Sequence, residues 1–480
     1  MADGLLSRRR FLAAALGAGA TTALAACGSS RITASSQRSP LTGPVSQEIT
    51  LTARQTQVDM AGRAVTAWAY GPQVAAGGIR ATAGDRVRIT LRNDLPEETS
   101  VHWHGLAVPN AMDGVPGVTS PAVAPGGTFS YDFVVPDPGT HWFHPHTGLQ
   151  LDTGLYAPFI VDDPRERGGY DHEWVLMLDD WTQGVGPDPQ QIFDDLVAAG
   201  EQQGSGHMGG MHMGGMGMDG GDVAYSMFVI NGRPPGDPDS LRVKAGDRVR
   251  MRIINAAADT IFTFAVGGHR MTVTHSDGYQ VKPVRADSLR ISMGERYDVL
   301  VDVGEGVFPV VAEPLGKVGE ALALLRTVDG PAPGQRRPEG LSAYPVGIEA
   351  LQSDPAVELP AAAPDVTYDL VLSGSMAPYV WMFNGVTHDR ARPLMVSEGQ
   401  KVRLRLSNMS MMSHPVHLHG HTFQVGPAGG GGARKDTLLL APMARADVDL
   451  VADNPGAWML HCHNAYHAEA GMMTRLDYST

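Results

Sequence analysis

Three stretches of the chain alternate apolar and polar residues with a period of two. Residues 80–94 (RATAGDRVRITLRND), 242–256 (RVKAGDRVRMRIINA) and 395–409 (MVSEGQKVRLRLSNM) each set a glycine (Gly84, Gly246, Gly399) ahead of the run. The apolar positions are Val87, Ile89 and Leu91, then Val249, Met251 and Ile253, then Val402, Leu404 and Leu406. Side chains of a strand point alternately to its two faces, so the pattern predicts three half-buried strands with their arginines outward. The motif recurs every roughly 150–160 residues, too long for a solenoid unit and suited to a duplicated domain.

A second echo follows within each unit. DPGTHWFHPH (137–146) and NPGAWMLHCH (454–463) share a Pro-Gly turn, a tryptophan and a terminal His-x-His, whereas the middle unit offers only EGVFPVVAEP (305–314). The chain therefore reads as three homologous β-sandwiches spanning 46–165, 166–330 and 365–480, with chemistry kept in the first and third. The Pro-, Gly- and Ala-rich residues 331–364 are the expected linker between the second and third.

The amino-terminal pattern differs. Ser7-Arg8-Arg9-Arg10-Phe11-Leu12 resembles a twin-arginine export signal, and the weakly apolar run from Leu12 to Ala26 is too short to span a bilayer. Leu24-Ala25-Ala26-Cys27 resembles a lipoprotein cleavage site, which predicts a lipid anchor at Cys27. The alternative is ordinary cleavage after Ala23-Leu24-Ala25. Residues 1–27 are the expected leader and 28–45 a flexible tether, which places the protein outside the cytoplasm, in a periplasm or cell envelope. No later apolar run approaches membrane length.

Composition sharpens this little. Of 480 residues, 43% are apolar and 18% charged, and 58 glycines with 34 prolines point to many turns and an all-β fold. The net charge of −14 argues against nucleic acid as a partner.

The histidines change the picture. His-x-His occurs as His102-His104, His144-His146, His417-His419 and His461-His463. Residues i and i+2 of a strand share a face, so each pair offers two imidazoles side by side. Eight convergent imidazoles exceed the four ligands of a mononuclear zinc site and suggest a polynuclear centre between the first and third sandwiches. Cys462 lies between His461 and His463 and so points to the opposite face, into a pocket within reach of His414 and His467, with Met472 behind. Two imidazoles, a thiolate and a weak axial thioether are the ligand set of a blue-copper electron-transfer site. His141, His172, His269, His275, His388 and His421 are read as structural or solvated.

The motifs HWHG (102–105), HWFHPH (141–146), HPVHLHGHTF (414–423) and HCHNAYHAEAGM (461–472) resemble the four signatures of multicopper oxidases. The resemblance covers the chain beyond its leader and extends to bacterial, mycobacterial-type copper-resistance and cuprous oxidases. It implies three consecutive cupredoxin-like Greek-key β-sandwich domains and four copper ions. The type 1 copper would take His414, Cys462, His467 and Met472. The type 2 copper would take His102 and His417, and the type 3 pair His104, His144, His146, His419, His461 and His463. Asp113 stands where the family has a carboxylate serving proton delivery; its other reading is a turn residue of Asp113-Gly114. Several bacterial members place a proton-donating glutamate directly after the last type 1 histidine. Here that position is Ala468, with Glu469 one later.

The stretch 207–218, HMGGMHMGGMGM, sets Met208, Met211, Met213, Met216 and Met218 in glycine, within a Met/Gly-rich loop spanning 204–221. Glycine this dense forbids stable helix or strand. Thioethers bind Cu(I) and little that is harder, so the segment reads as a copper-capturing loop, the alternative being a low-complexity insert that scavenges oxidants. Met412, with Met409 and Met411, offers a second docking point close to His414. The expected reaction is oxidation of Cu(I), with phenols or Fe(II) secondary, coupled to reduction of O2 to water. A phenol-oxidising laccase is the alternative, and a copper-free scaffold of the same fold a more distant one. A monomer is expected.

Overall fold

The computed structural model describes residues 41, 43–75, 78–166, 168–204, 220–427 and 429–479. The leader with Cys27, most of the tether, and Met208, Met211, Met213, Met216 and Met218 lie outside the described residues.

Each repeated run forms an interior strand of a sheet: Arg86–Asn93, Arg248–Asn255 and Lys401–Asn408. Gly84, Gly246 and Gly399 ahead of them take φ of +95°, +91° and +83°, a turn conformation that side chains disfavour. Each strand pairs in parallel with one that precedes it: Gln47–Met60, His172–Trp181 and Val366–Met376. Each also pairs antiparallel with one that follows: Thr128–Val134, Arg296–Asp302 and Arg445–Val451. The identical wiring in all three units is what the repeat predicts. Among the described residues the strands build six sheets, of four and four, six and five, and six and five strands. The chain is all-β, three sandwiches in succession. The apolar half of each alternation fills the cores: Val87, Ile89 and Leu91; Val249, Met251 and Ile253; Val402, Leu404 and Leu406 are all buried. Each such side chain contributes about 1.5–3 kcal/mol by leaving water.

One expectation fails in the middle unit. Arg250 and Arg252 do not face outward; they are 3% and 1% exposed. Their face of the sandwich abuts the first domain, and carboxylates replace the lost water. Asp298 Oδ2 accepts from Arg250 Nη2 at 2.5 Å and from Arg252 Nη1 at 3.1 Å, while Arg252 Nη1 also donates to Thr140 Oγ1 at 2.9 Å. Glu166 and Glu173 complete the pairing.

Two connections prepare the site. Helix Pro189–Gly204, which the strand pattern does not anticipate, packs Ile192, Phe193, Leu196 and Val197 against the core. The Phe193 ring lies 6.1 Å from that of Tyr379 in the third domain. The linker is itself packed, with Leu341 and Leu351 buried and the Val346 amide on the Ser288 carbonyl at 2.9 Å. No helix among the described residues is long and apolar enough to cross a membrane.

Candidate metal centre

The histidine pairs fall on facing strands of two domains. In the first, His102–His104 runs antiparallel to Gly139–His144 with His102 opposite His144. In the third, His414–Leu418 runs antiparallel to Ala457–Cys462 with His417 opposite His461 and Val416 opposite Cys462. Residues paired across a ladder share a face, so the imidazoles of 417 and 461 turn one way and the Cys462 thiol the other. Between domains the rings interleave: His102 stacks on His419 with centroids 3.7 Å apart, and His104 on His417 at 3.8 Å. The eight imidazoles are at most 9% exposed.

The ring nitrogens divide into an outer and an inner set. Outward, Nδ1 of His102, His144, His417 and His461 lies 3.0, 3.1, 2.9 and 2.8 Å from the carbonyls of Asp113, Pro145, Asp436 and Cys462. A carbonyl only accepts, so these nitrogens donate, and the proton-free Nε2 of each ring faces inward. Nε2 of His102, His144, His146 and His417 has no hydrogen-bond partner although buried. His419 Nδ1 is 3.0 Å from Asp113 Oδ2, and its Nε2 meets His461 Nε2 at 3.1 Å. His104 turns the other way, with Nε2 3.2 Å from Asp436 Oδ1 and Nδ1 3.2 Å from His463 Nε2. Lone pairs aimed at one another in a buried cavity are costly unless a cation lies among them. The donor set therefore fits metal ions, as three imidazole triads there also suggest: His102, His417 and His419; His102, His104 and His144; His146, His419 and His461.

Burial pushes His104, His144, His146, His419, His461 and His463 well below the usual imidazole range, and their neighbouring rings add to it. They are neutral, the form that binds metal. Two carboxylates brace them. Asp113 takes His419 with one oxygen and lies 3.1 Å from His102 Nδ1 with the other. Asp436 sits under His104 and His417 and is held by Arg296 of the second domain, Nη2 to Oδ2 at 2.6 Å and Nη1 to Oδ1 at 2.7 Å. Burial alone would raise the Asp436 carboxyl; Arg296 and the two imidazoles outweigh it and hold it well below the usual range.

The thiol pocket is separate, and Cys462, His414, His467 and Met472 all belong to the third domain. Cys462 Sγ lies 3.7 Å from Nδ1 of both His414 and His467, which are 3.0 Å from each other, and all three residues are fully buried. Met472 is fully buried as well, its amide on the His467 carbonyl and its carbonyl on the Cys462 amide, both at 3.0 Å. A sulfur and two imidazoles, with Met472 tied to His467 and Cys462 through its main chain, fit a soft, redox-active ion such as copper. The outer nitrogens are held by side chains: His414 Nε2 is 2.8 Å from Ser410 Oγ, and His467 Nε2 is 2.9 Å from Asp222 Oδ2. Burial opposes charge on His467, yet Asp222 and then the Cys462 sulfur push it up to about 10. Burial and the neighbouring His467 push His414 the other way, well below the usual imidazole range.

Asp222, Arg296 and Asp436 are absent from the sequence reading. No spacing marks them, because each reaches the site from another domain or a remote loop. Asp222 also accepts from Tyr379 Oη at 2.7 Å, the residue on which helix Pro189–Gly204 rests. Both described flanks of the methionine-rich segment therefore approach the thiol pocket, a placement its assignment to the second domain left open. Met409 and Met411 are exposed and Met412 is half-buried. Glu469 ends the helix Ala465–Glu469 and is partly exposed. His421 is structural, with Nε2 2.6 Å from Tyr478 Oη.

Models of multicopper oxidase domains match residues 52–166, 172–328 and 361–480. Multicopper oxidase MmcO of Mycobacterium tuberculosis is 46% identical, over 98% of this chain and 96% of its own. A copper resistance protein A homolog of Pseudomonas syringae pv. tomato is 29% identical, over 88% and 91%. In fold, the crystal structure of Fet3p, a multicopper oxidase that functions in iron import, superposes with a TM-score of 0.78 at 22% identity, over 90% of each chain. The three sandwiches are accordingly cupredoxin-like domains.

Proposed function

The chain belongs to the multicopper oxidase family, a family of copper-dependent oxidoreductases, and from that premise we propose that it is a cuprous oxidase. We assign four coppers: one held by His414, Cys462, His467 and Met472, one by His102 and His417, and a pair by His104, His144, His146, His419, His461 and His463. Bound copper supplies one-electron redox chemistry at the first site and reduction of dioxygen at the other three. Four one-electron oxidations then balance the conversion of one O2 and four protons to two waters.

The chain's own residues divide the remaining work. Cys462 joins the two regions, since its flanking residues are ligands of the pair. Asp113, in contact with His102 and His419, is assigned to proton delivery on the oxygen side, and Glu469 to a second place on the proton route. The methionines at 208, 211, 213, 216 and 218 capture Cu(I), with Met412 as the docking point beside His414.

The observation that carries the cuprous reading is the Asp222 contact. An acidic oxygen 2.9 Å from His467 Nε2 stands at the described end of a methionine-rich stretch. A soft thioether run leading to a carboxylate suits a metal-ion donor better than a phenol. The relative's name as a copper resistance protein agrees with it. The test is oxygen uptake with Cu(I), Fe(II) and a phenol, with and without residues 207–218. Loss confined to Cu(I) is expected; equal loss or no loss with all three returns the laccase reading. Export by the twin-arginine-like leader, lipidation at Cys27 and a monomeric state complete the proposal. The mass of the mature amino terminus and sedimentation check them.

A further inference from the structure

Asp222 meets His467 because its main chain is held from behind. The amides of Asp222 and Val223 donate to Oδ1 and Oδ2 of Asp259 at 3.1 and 3.0 Å. The same carboxylate accepts from the side-chain amide of Asn464. Asn464 in turn caps the helix Ala465–Glu469, accepting from the amides of Tyr466 and His467 at 3.0 and 3.1 Å. Lys317 closes the arrangement from the second domain. Its Nζ is 2.8 Å from Asp259 Oδ2 and 2.8 Å from Thr260 Oγ1, and it lies over the Tyr225 ring at 4.7 Å. Both side chains are buried, 0% and 3% exposed. A parallel tie runs from the Ala465 amide to the Ala258 carbonyl at 2.8 Å.

The close approach depends on one glycine. Gly221 takes φ +74°, and a Cβ there would lie 2.3 Å from Asp259 Oδ2. Any side chain at 221 pushes the 221–223 arm off the carboxylate. A buried ion pair often adds little net stability, because desolvation of two charges offsets their attraction. Stability alone is thus a weak reason for this pair, and its contacts are informative: it grips the Asp222 arm with one edge and the cap of the His467 helix with the other.

We propose that Asp259 and Lys317 are positioning residues for electron entry, fixing the Asp222 carboxylate on the outer nitrogen of His467 and so favouring cationic, metal-ion donors at that edge. The inference rests on the assignment of His414, Cys462, His467 and Met472 to a redox copper. Neither residue touches the donor or the metal. They act through Asp222 and through Asn464.

Two variants test it in the copper-loaded full chain: Gly221→Ala, whose Cβ meets Asp259 at Oδ2 and at its carbonyl and so parts the arm from it without removing either charge, and the double change Asp259→Asn with Lys317→Met. Both should retain the Cu–thiolate absorption near roughly 600 nm per protein while shifting its maximum and the reduction potential of that copper. KM for Cu(I) should rise about tenfold, the equivalent of 1.4 kcal/mol, with a much smaller change in kcat and in phenol oxidation. Lys317→Arg keeps the charge and should restore most of the effect. Copper-loaded variants with wild-type spectrum, potential and KM, or with only a lowered melting temperature, overturn the proposal. If the double variant does not fold, Gly221→Ala alone decides. A wild-type protein without the 600 nm band would instead overturn the copper assignment beneath it.

Discussion

The eight-imidazole cluster and the thiol pocket are held in place by different means. Around the cluster, four outer nitrogens donate to backbone carbonyls, those of His144 and His461 to Pro145 and Cys462 and those of His102 and His417 to Asp113 and Asp436. Around the pocket they meet side chains, Ser410 for His414 and Asp222 for His467, and Asp222 comes from the second domain. A backbone carbonyl cannot be exchanged by point mutation, whereas a side-chain partner can be. Four of the cluster's rings are thus anchored on groups that no point mutation removes, whereas both imidazoles of the pocket rest on exchangeable side chains.

Substitutions at the junction should break that contrast most severely. Cys462→Ser is expected to abolish the Cu–thiolate absorption and reduce turnover to background, while electron paramagnetic resonance still detects copper at the imidazole cluster. Asp113→Asn should act on the other side alone. Disturbing a group that orients ligands typically costs about 10–100-fold, so oxygen-dependent reoxidation should slow by that factor with the visible band unchanged in stopped-flow traces. Asp222→Asn should raise KM for Cu(I) about tenfold through loss of one charge-assisted contact, with reoxidation unaffected. If Asp113→Asn moved the band or Asp222→Asn slowed reoxidation, the two regions would not be separable.

The smallest effect concerns neither region. Burial opposes ionisation of Asp298, but Arg250 and Arg252 outweigh it and hold its carboxyl well below the usual range. Its folded pKa lies under the unfolded value of about 3.9, so it contributes stability above that pH and loses it as pH falls toward the folded value. The melting temperature should therefore drop below about pH 4, and Asp298→Asn should flatten that limb while lowering the neutral plateau, with both copper signals intact at pH 7.

The sequence discloses the parts of this molecule that are local. Period-two runs disclose the strands, and i, i+2 histidines disclose the cluster, because a strand's pleat turns spacing directly into a shared face. The opposite orientation of Cys462 follows by the same rule. What spacing cannot disclose is anything made by docking one sandwich on another. Asp222 is 245 residues from His467 and Arg296 is 140 from Asp436. The burial of Arg250 and Arg252 belongs to the same class, since solvent exposure of a strand face depends on which neighbour covers it. The middle domain, which carries no His-x-His pair, supplies Asp222, Arg296 and the buried arginines.

The separation of the ligands has a consequence for how the protein is made. His104 and His463 face each other across 359 residues of chain. At about 5–20 residues per second, roughly 20–70 s pass between the synthesis of the first imidazole and that of its partner. During that interval His102, His104, His144 and His146 exist without their complement, and no nascent chain short of His463 holds a whole cluster. A complete imidazole cluster is thereby a late product of synthesis, reached only once His463 has been added.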